Sequence, residues 1–250
     1  MRFEGKSGLV TGAGKGIGKA IAMRLAADGA KVLCADVDQQ ALDDVVSEIE
    51  AAGGAASTMC VDVSDAAQVE AMVSKAIESF GNLHLAVNNA GIGGAGKPLA
   101  EQELEEWERV IGINLSGVFY GLKYEIPAIL ASGGGAIVNI ASMFARHALR
   151  GRAHYTASKY GVIGLTRTAA MDYAGEPIRI NTVCPGVIDT PLARSDADTT
   201  GAVADMVPLG RMGEASEIAN MVAFLLSDEA SYITASEFDV DGGILHEGEN

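Results

Sequence analysis

From Gly12 to Gly18 every second residue is glycine. This run separates a short apolar stretch, Ser7-Gly8-Leu9-Val10-Thr11, from one in which Ala20, Ile21, Leu25 and Ala26 recur at helical spacing. The order is strand, glycine turn, helix. Glycine permits positive φ and lets backbone N–H groups come close to a ligand, and the helix N-terminus beyond it favours an anion. The pattern predicts a βαβ unit in which Gly12, Gly16, Ile17 and Gly18 cradle the diphosphate of a dinucleotide. Lys15, inside the turn, is read either as solvated or as facing that diphosphate.

The next strand, Lys31 to Ala35, ends at Asp36, which lies 18 residues after Gly18. A carboxylate there accepts hydrogen bonds from ribose hydroxyls and repels a 2′-phosphate, so NAD is expected in preference to NADP. Val37 is assigned to the same rim of the cofactor site. A helix follows through Leu42, Val45, Val46 and Ile49, then Gly53-Gly54 and a strand from about Ala56 to Val61. Ser64 or Asp65 caps a helix with Val69, Met72, Val73, Ala76, Ile77 and Phe80 on one face. Leu83 to Val87 is a fourth strand, running into Asn88-Asn89-Ala90-Gly91. Sustained alternation of this kind predicts an α/β fold: a doubly wound (Rossmann) parallel sheet of about seven strands, three layers αβα, in one domain over residues 1–250.

Hydrophobic residues make up 48% of the 250 and charged ones 20%, enough for a sizeable core. The net charge of −15 opposes approach to a phosphate backbone or an anionic bilayer, so neither nucleic acid nor membrane is an expected partner. Cys34, Cys60 and Cys184 lie far apart in or beside apolar segments, without the paired spacings of a zinc site. They are read as buried, reduced thiols, and no metal is expected. The opening Met1-Arg2-Phe3-Glu4-Gly5-Lys6 leads into a strand without an apolar signal region, which points to a soluble, cytoplasmic protein.

In the second half, a helix is expected from about Ala153 to Ala174. Tyr155 and Lys159 are four apart on it and so share a face, where a cation lowers a phenol's pKa and fits it to move a proton near neutral pH. Thr11-Gly12-x-x-x-Gly16-x-Gly18, Asn88-Asn89-Ala90-Gly91 and Tyr155-x-x-x-Lys159, in this order and spacing, resemble the short-chain dehydrogenase/reductase family over essentially the whole chain.

The resemblance implies roles for particular residues. The Asn-Asn-Ala-Gly segment would steady the central sheet and line the cofactor through Asn88, Asn89, Ala90 and Gly91, with Asp62 and Val63 at the adenine. Asn114, Ser142, Tyr155 and Lys159 match the catalytic set. Pro185, Gly186, Val187, Ile188 and Thr190 match the nicotinamide clamp. By position the substrate would meet Gly93, Gly94, Met143, Phe144, Leu149, Arg150, Leu192 and Met206, under a lid at about 191–208. The apolar members suggest an alicyclic, aromatic or steroid-like secondary alcohol or its ketone. Arg146, Arg150 and Arg152 are read as loop arginines, with a grip on a substrate carboxylate as the alternative. His147 and His154 are given no catalytic role.

The expected reaction is NAD(H)-dependent interconversion of a secondary alcohol and a ketone. Tyr155 acts as general acid/base, Ser142 holds the substrate oxygen, and Lys159 tunes the phenol and holds the nicotinamide ribose. Relatives assemble through the last strand and through two long helices, so a homotetramer is implied. An NADPH-dependent 3-oxoacyl-[acyl-carrier-protein] reductase and a catalytically silent dinucleotide-binding protein are the alternatives. Asp36 and the acidic charge disfavour the first; the intact catalytic set disfavours the second. Two departures from the family pattern are Ala235, where glycine is common, and His84, where an acidic residue is common.

Overall fold

The computed structural model describes residues 1–194 and 206–246. Seven strands form one sheet: β1 (Ser7–Thr11), β2 (Lys31–Asp36), β3 (Ala55–Cys60), β4 (Leu85–Asn88), β5 (Gly135–Ile140), β6 (Ile178–Pro185) and β7 (Glu237–Val240). Their spatial order is β3-β2-β1-β4-β5-β6-β7, and every adjacent pair is parallel. The helices are α1 (Gly16–Ala27), α2 (Gln39–Ala51), α3 (Ala66–Phe80), α4 (Leu104–Ile111), α5 (Gly117–Ala131), α6 (Ala153–Asp172), α7 (Pro191–Arg194) and α8 (Ala215–Leu226). None of the described helices is long and apolar enough to cross a membrane.

The continuous apolar runs of the central strands follow from a sheet covered on both faces. Side chains alternate between the faces, and the core divides accordingly. Val10, Val32, Cys34, Leu85, Val87, Ala136 and Val138 pack on one side with α1, α2 and α8. Leu9, Leu33, Ala35, Ala86 and Ile137 pack on the other with α3, α5 and α6. Leu9, Leu33, Ile137 and Ile180 are fully buried, each worth about 1.5–3 kcal/mol relative to exposure.

Four local expectations are corrected or sharpened. Cys60 is exposed, because it ends the edge strand β3, which has β2 on one side only. Ala235 takes φ 57, the left-handed conformation a glycine would adopt at lower cost. His84 is buried and uses its ring: Nδ1 accepts from the Ser7 backbone N–H at 3.2 Å. Of the lid expected at 191–208, Pro191–Arg194 is a short helix, and 195–205 lie outside the described residues.

Candidate active site

In an open parallel sheet, ligands bind beyond the carboxyl ends of the strands where the strand order reverses. Here that point lies between β1 and β4, and a cavity of about 670 Å³ opens over it.

Its walls at one end are built by the turns after β1 and β4, which are stapled together. The Thr11 hydroxyl oxygen accepts from the backbone N–H groups of Asn89 and Ala90 at 3.0 and 3.1 Å. The Asn89 amide donates to the Thr11 and Gly12 carbonyls at 2.9 and 3.2 Å. Gly12, at φ 64, leaves room for this: a Cβ there would lie 2.9 Å from the Ala90 Cα. Beyond the turn α1 begins at Gly16 with no side-chain cap, so its first N–H groups are directed at whatever occupies the cavity.

Asp36 lines the same end. One carboxylate oxygen accepts from the Gly14 N–H at 3.0 Å and the other from the Asp38 N–H at 3.1 Å. Lys15 pairs with Asp38 at 2.7 Å, a contact that raises the lysine pKa and lowers that of the aspartate. Gly18 lies behind the turn, against Gly12 and Asn89. Val37, Asp62 and Val63 are not among the cavity-lining residues, and Val37 is 68% exposed.

At the other end α6 and the loop after β5 bring Tyr155, Lys159 and Ser142 onto one wall. The buried Lys159 Nζ donates to the Ile140 carbonyl at 3.0 Å and stands 5.8 Å from the centre of the Tyr155 ring. Burial brings the lysine pKa down to about 8. Burial also pushes the Tyr155 phenol above its ordinary value, opposed by a hydrogen bond with Ser142 and by the charge of Arg152. Arg152 is thus a second cation acting on the phenol, in addition to the Lys159 expected from the sequence. The Phe144 ring meets the Tyr155 ring edge-on, centroids 6.4 Å apart.

Asn114 sits in a π-helical turn between α4 and α5, fully buried and outside the cavity lining. Its amide oxygen accepts from the Ile92 N–H and its amide nitrogen donates to the Ile92 carbonyl, both at 2.9 Å. It thus braces the strand-end loop that carries Gly91. His154, also buried, accepts from the Tyr155 N–H at 2.7 Å through Nδ1 and faces the Ala95 carbonyl at 3.2 Å through Nε2. A neutral ring protonated on Nε2 satisfies both.

Of the residues assigned to the substrate, Gly93, Gly94, Met143, Phe144, Leu149 and Leu192 line the cavity. Arg150 and Met206 do not; Met206 is 54% exposed. The arginine in the cavity is Arg152, whose Nη1 donates to the Gly94 carbonyl at 2.5 Å. Its signal was present in the sequence, since it stands three residues before Tyr155 at the start of the same helix. Arg146 is committed elsewhere, to Asp239 at 2.9 Å and Glu237 at 3.1 Å. Pro185, Gly186, Val187, Ile188 and Thr190 also line the cavity, and Ile140, Ala141, Pro191 and Ala193 complete the lining without a distinguishing sequence signal.

Comparison with known proteins places this geometry. Residues 12–245 match the family model described as enoyl-(acyl carrier protein) reductase. The chain is 47% identical over 244 residues to cyclohexanol dehydrogenase of Acinetobacter sp. (strain SE19), covering 96% of this chain and 95% of that one. The crystal structure of levodione reductase matches with a TM-score of 0.93 at 39% identity, covering 98% of this chain and 100% of that one. An Agrobacterium tumefaciens structure assigned as a 2-deoxy-d-gluconate 3-dehydrogenase, with bound NADP, matches with a TM-score of 0.88 at 34% identity, covering 98% of each chain. Agreement at this level across nearly the full length leaves no other assignment: the chain belongs to the short-chain dehydrogenase/reductase family.

Proposed function

We propose that the protein is an NAD(H)-dependent oxidoreductase that interconverts a secondary alcohol and its ketone. The observation that carries this reading is the convergence of Ser142, Tyr155 and Lys159 on the cavity that the glycine turn also lines. The uncapped start of α1 and the space left by Gly12 and Gly16 fit a diphosphate. When bound, a nicotinamide dinucleotide supplies the hydride acceptor or donor. Asp36, with its carboxylate held by two backbone N–H groups on the cavity wall, supports NAD over NADP. Lys15 is balanced by Asp38 and so offers little to a 2′-phosphate.

The chain's own residues account for the proton. Ser142 and Tyr155 hold the substrate oxygen; Tyr155 takes the hydroxyl proton during oxidation and returns it during reduction. Because burial raises the phenol's pKa, oxidation gains rate with rising pH and reduction is favoured at lower pH. Met143, Phe144, Leu149 and Leu192 suit a compact alicyclic alcohol, in keeping with the cyclohexanol dehydrogenase relative. Leu115, Phe119, Tyr120, Gly161 and Leu165 form a second, apolar groove between α5 and α6, which supports self-association, as a tetramer in the family's usual form. A cytoplasmic location belongs to the same reading.

Nicotinamide absorbance followed with NAD and NADP over a panel of cyclic and acyclic secondary alcohols tests the proposal. Turnover should be faster with NAD. Tyr155→Phe should still bind NADH but lose about 10²–10⁴ in kcat. Wild-type turnover by that variant, or preference for NADP, would overturn the corresponding part.

A further inference from the structure

One ionisable side chain with no part in this chemistry is completely enclosed. Glu125, on α5, has 0% exposure. Its Oε2 accepts from Asn88 Nδ2 at 2.9 Å, and the same nitrogen donates to Asn139 Oδ1 at 2.9 Å. Asn139 Nδ2 donates to Thr166 Oγ1 at 2.8 Å, and the Thr166 hydroxyl donates to the Val162 carbonyl at 2.8 Å. Four side chains from α5, β4, β5 and α6 are thereby joined in one chain of hydrogen bonds. Gly121 on α5 makes room for it, since a Cβ there would fall 2.9 Å from the Asn88 Cγ.

The network lies one residue behind two anchors of the candidate site. After Asn139 comes Ile140, whose carbonyl binds the Lys159 ammonium. After Asn88 comes Asn89, which staples the Thr11-Gly12 turn. Asn88 and Asn139 are themselves paired across β4 and β5.

The charge state of Glu125 follows from what surrounds it. Among the described residues, the side chains in its network from β4, β5 and α6 are Asn88, Asn139 and Thr166, none of which carries a charge. Its other oxygen, Oε1, has no hydrogen-bond partner. A carboxylate with a single neutral N–H donor and no cation would carry a desolvation cost of several kcal/mol, which a neutral acid avoids. Burial pushes its pKa up to about 7, against a lesser lowering by Asn88.

We infer that Glu125 is a positioning residue acting as a neutral carboxylic acid. It ties α5 to the Asn88–Asn139 pair and so holds the ends of β4 and β5, with the Lys159 anchor and the glycine-turn staple, in working register. The inference rests on the proposed roles of Lys159 and the turn. The pH dependence has a definite sign. The folded pKa is raised, so the native state keeps a proton that the unfolded chain releases above about pH 4.5. The associated stability is present below that pH and is lost as pH rises through about 7.

Full-length wild type, Glu125→Gln and Glu125→Met are to be compared by NADH fluorescence titration, by kcat and KM from pH 6 to 9, and by thermal melting from pH 5 to 8. Gln keeps an acceptor for Asn88 and cannot ionise. It should match wild type within about threefold in NADH affinity and kcat at pH 6, and its melting temperature should fall less with pH. Met keeps the volume but leaves Asn88 Nδ2 with Asn139 as its acceptor and one buried N–H unpaired; it should lose about tenfold in both NADH affinity and kcat while remaining folded. Wild-type affinity and kcat in the Met variant, or loss in Gln as large as in Met, would overturn the inference. So would identical pH dependence of melting in Gln and wild type. Should the wild type turn over no alcohol, the proposed function fails, yet the NADH and melting comparisons still decide the role of Glu125.

Discussion

Replacing Gly18 by alanine asks whether the turn after β1 is a built cradle or merely a tight connection. Gly18 lies in the first turn of α1, and a Cβ there would press inside van der Waals contact of the Gly12 carbonyl oxygen. It would also come within 2.7 Å of the Gly12 carbonyl carbon and 2.5 Å of the Asn89 amide nitrogen. The obstacles are backbone and the group that staples β4 to β1, so a side-chain rotation cannot relieve the clash. Overpacking costs about 1–3 kcal/mol, and the tight backbone contact puts this site at the upper end. Alanine's better helix propensity returns about 1 kcal/mol. The net of about 2 kcal/mol falls on the turn and its Asn89 bonds, and corresponds to roughly thirtyfold weaker NADH binding, since 1.4 kcal/mol is tenfold. Titration of NADH fluorescence alongside thermal melting reads both parts. Gly175→Ala is the control, because nothing lies within 4 Å of the Cβ it would add. If Gly18→Ala bound NADH within threefold of wild type with an unchanged melting temperature, the close-packed cradle would be refuted.

Three other outcomes are expected. Arg152→Gln removes the charge that opposes the rise in the Tyr155 pKa, so the pH profile of alcohol oxidation should move to higher pH, and Arg152→Lys should restore it. An unchanged profile in Arg152→Gln would show that the guanidinium serves only the Gly94 loop. Asp36→Ser should raise kcat/KM with NADP by about tenfold or more, by removing a carboxylate that repels a 2′-phosphate; steady-state kinetics with both cofactors checks this. Gly164 lines the apolar groove between α5 and α6, and an added Cβ meets nothing within the subunit. Gly164→Ala should shift the protein toward smaller species in size-exclusion chromatography if that groove is covered by a second copy. An unchanged elution volume together with a higher melting temperature would place the association surface elsewhere.

Much of the architecture was legible because its causes are local. Glycine at alternate positions between a strand and a helix permits few backbone paths, and repeated strand–helix units with apolar strands require a parallel sheet covered on both faces. Tyr155 and Lys159 could be paired from spacing, since four residues on a helix share a face. Ser142 could be placed by its position at the end of a strand. Cys60 misled for the opposite reason. Its neighbours read as a strand, but exposure depends on whether a further strand lies beside it, and β3 is at the edge. Arg150 and Arg152 are two residues apart in one segment, and their separation became clear only once α6 was seen to start at Ala153, with the Gly93–Gly94 loop against Arg152.

The sequence by itself determined the strand and helix order, the glycine turn between β1 and α1, and the sharing of one helix face by Tyr155 and Lys159. These depend on backbone freedom and on periodicities of a few residues. The tertiary structure decided which charges act on one another. It brought Arg152 to the Tyr155 phenol alongside Lys159, tied Lys15 to Asp38, and enclosed Glu125 against Asn88. Those outcomes depend on burial and on distances between residues remote in the chain, which only packing sets.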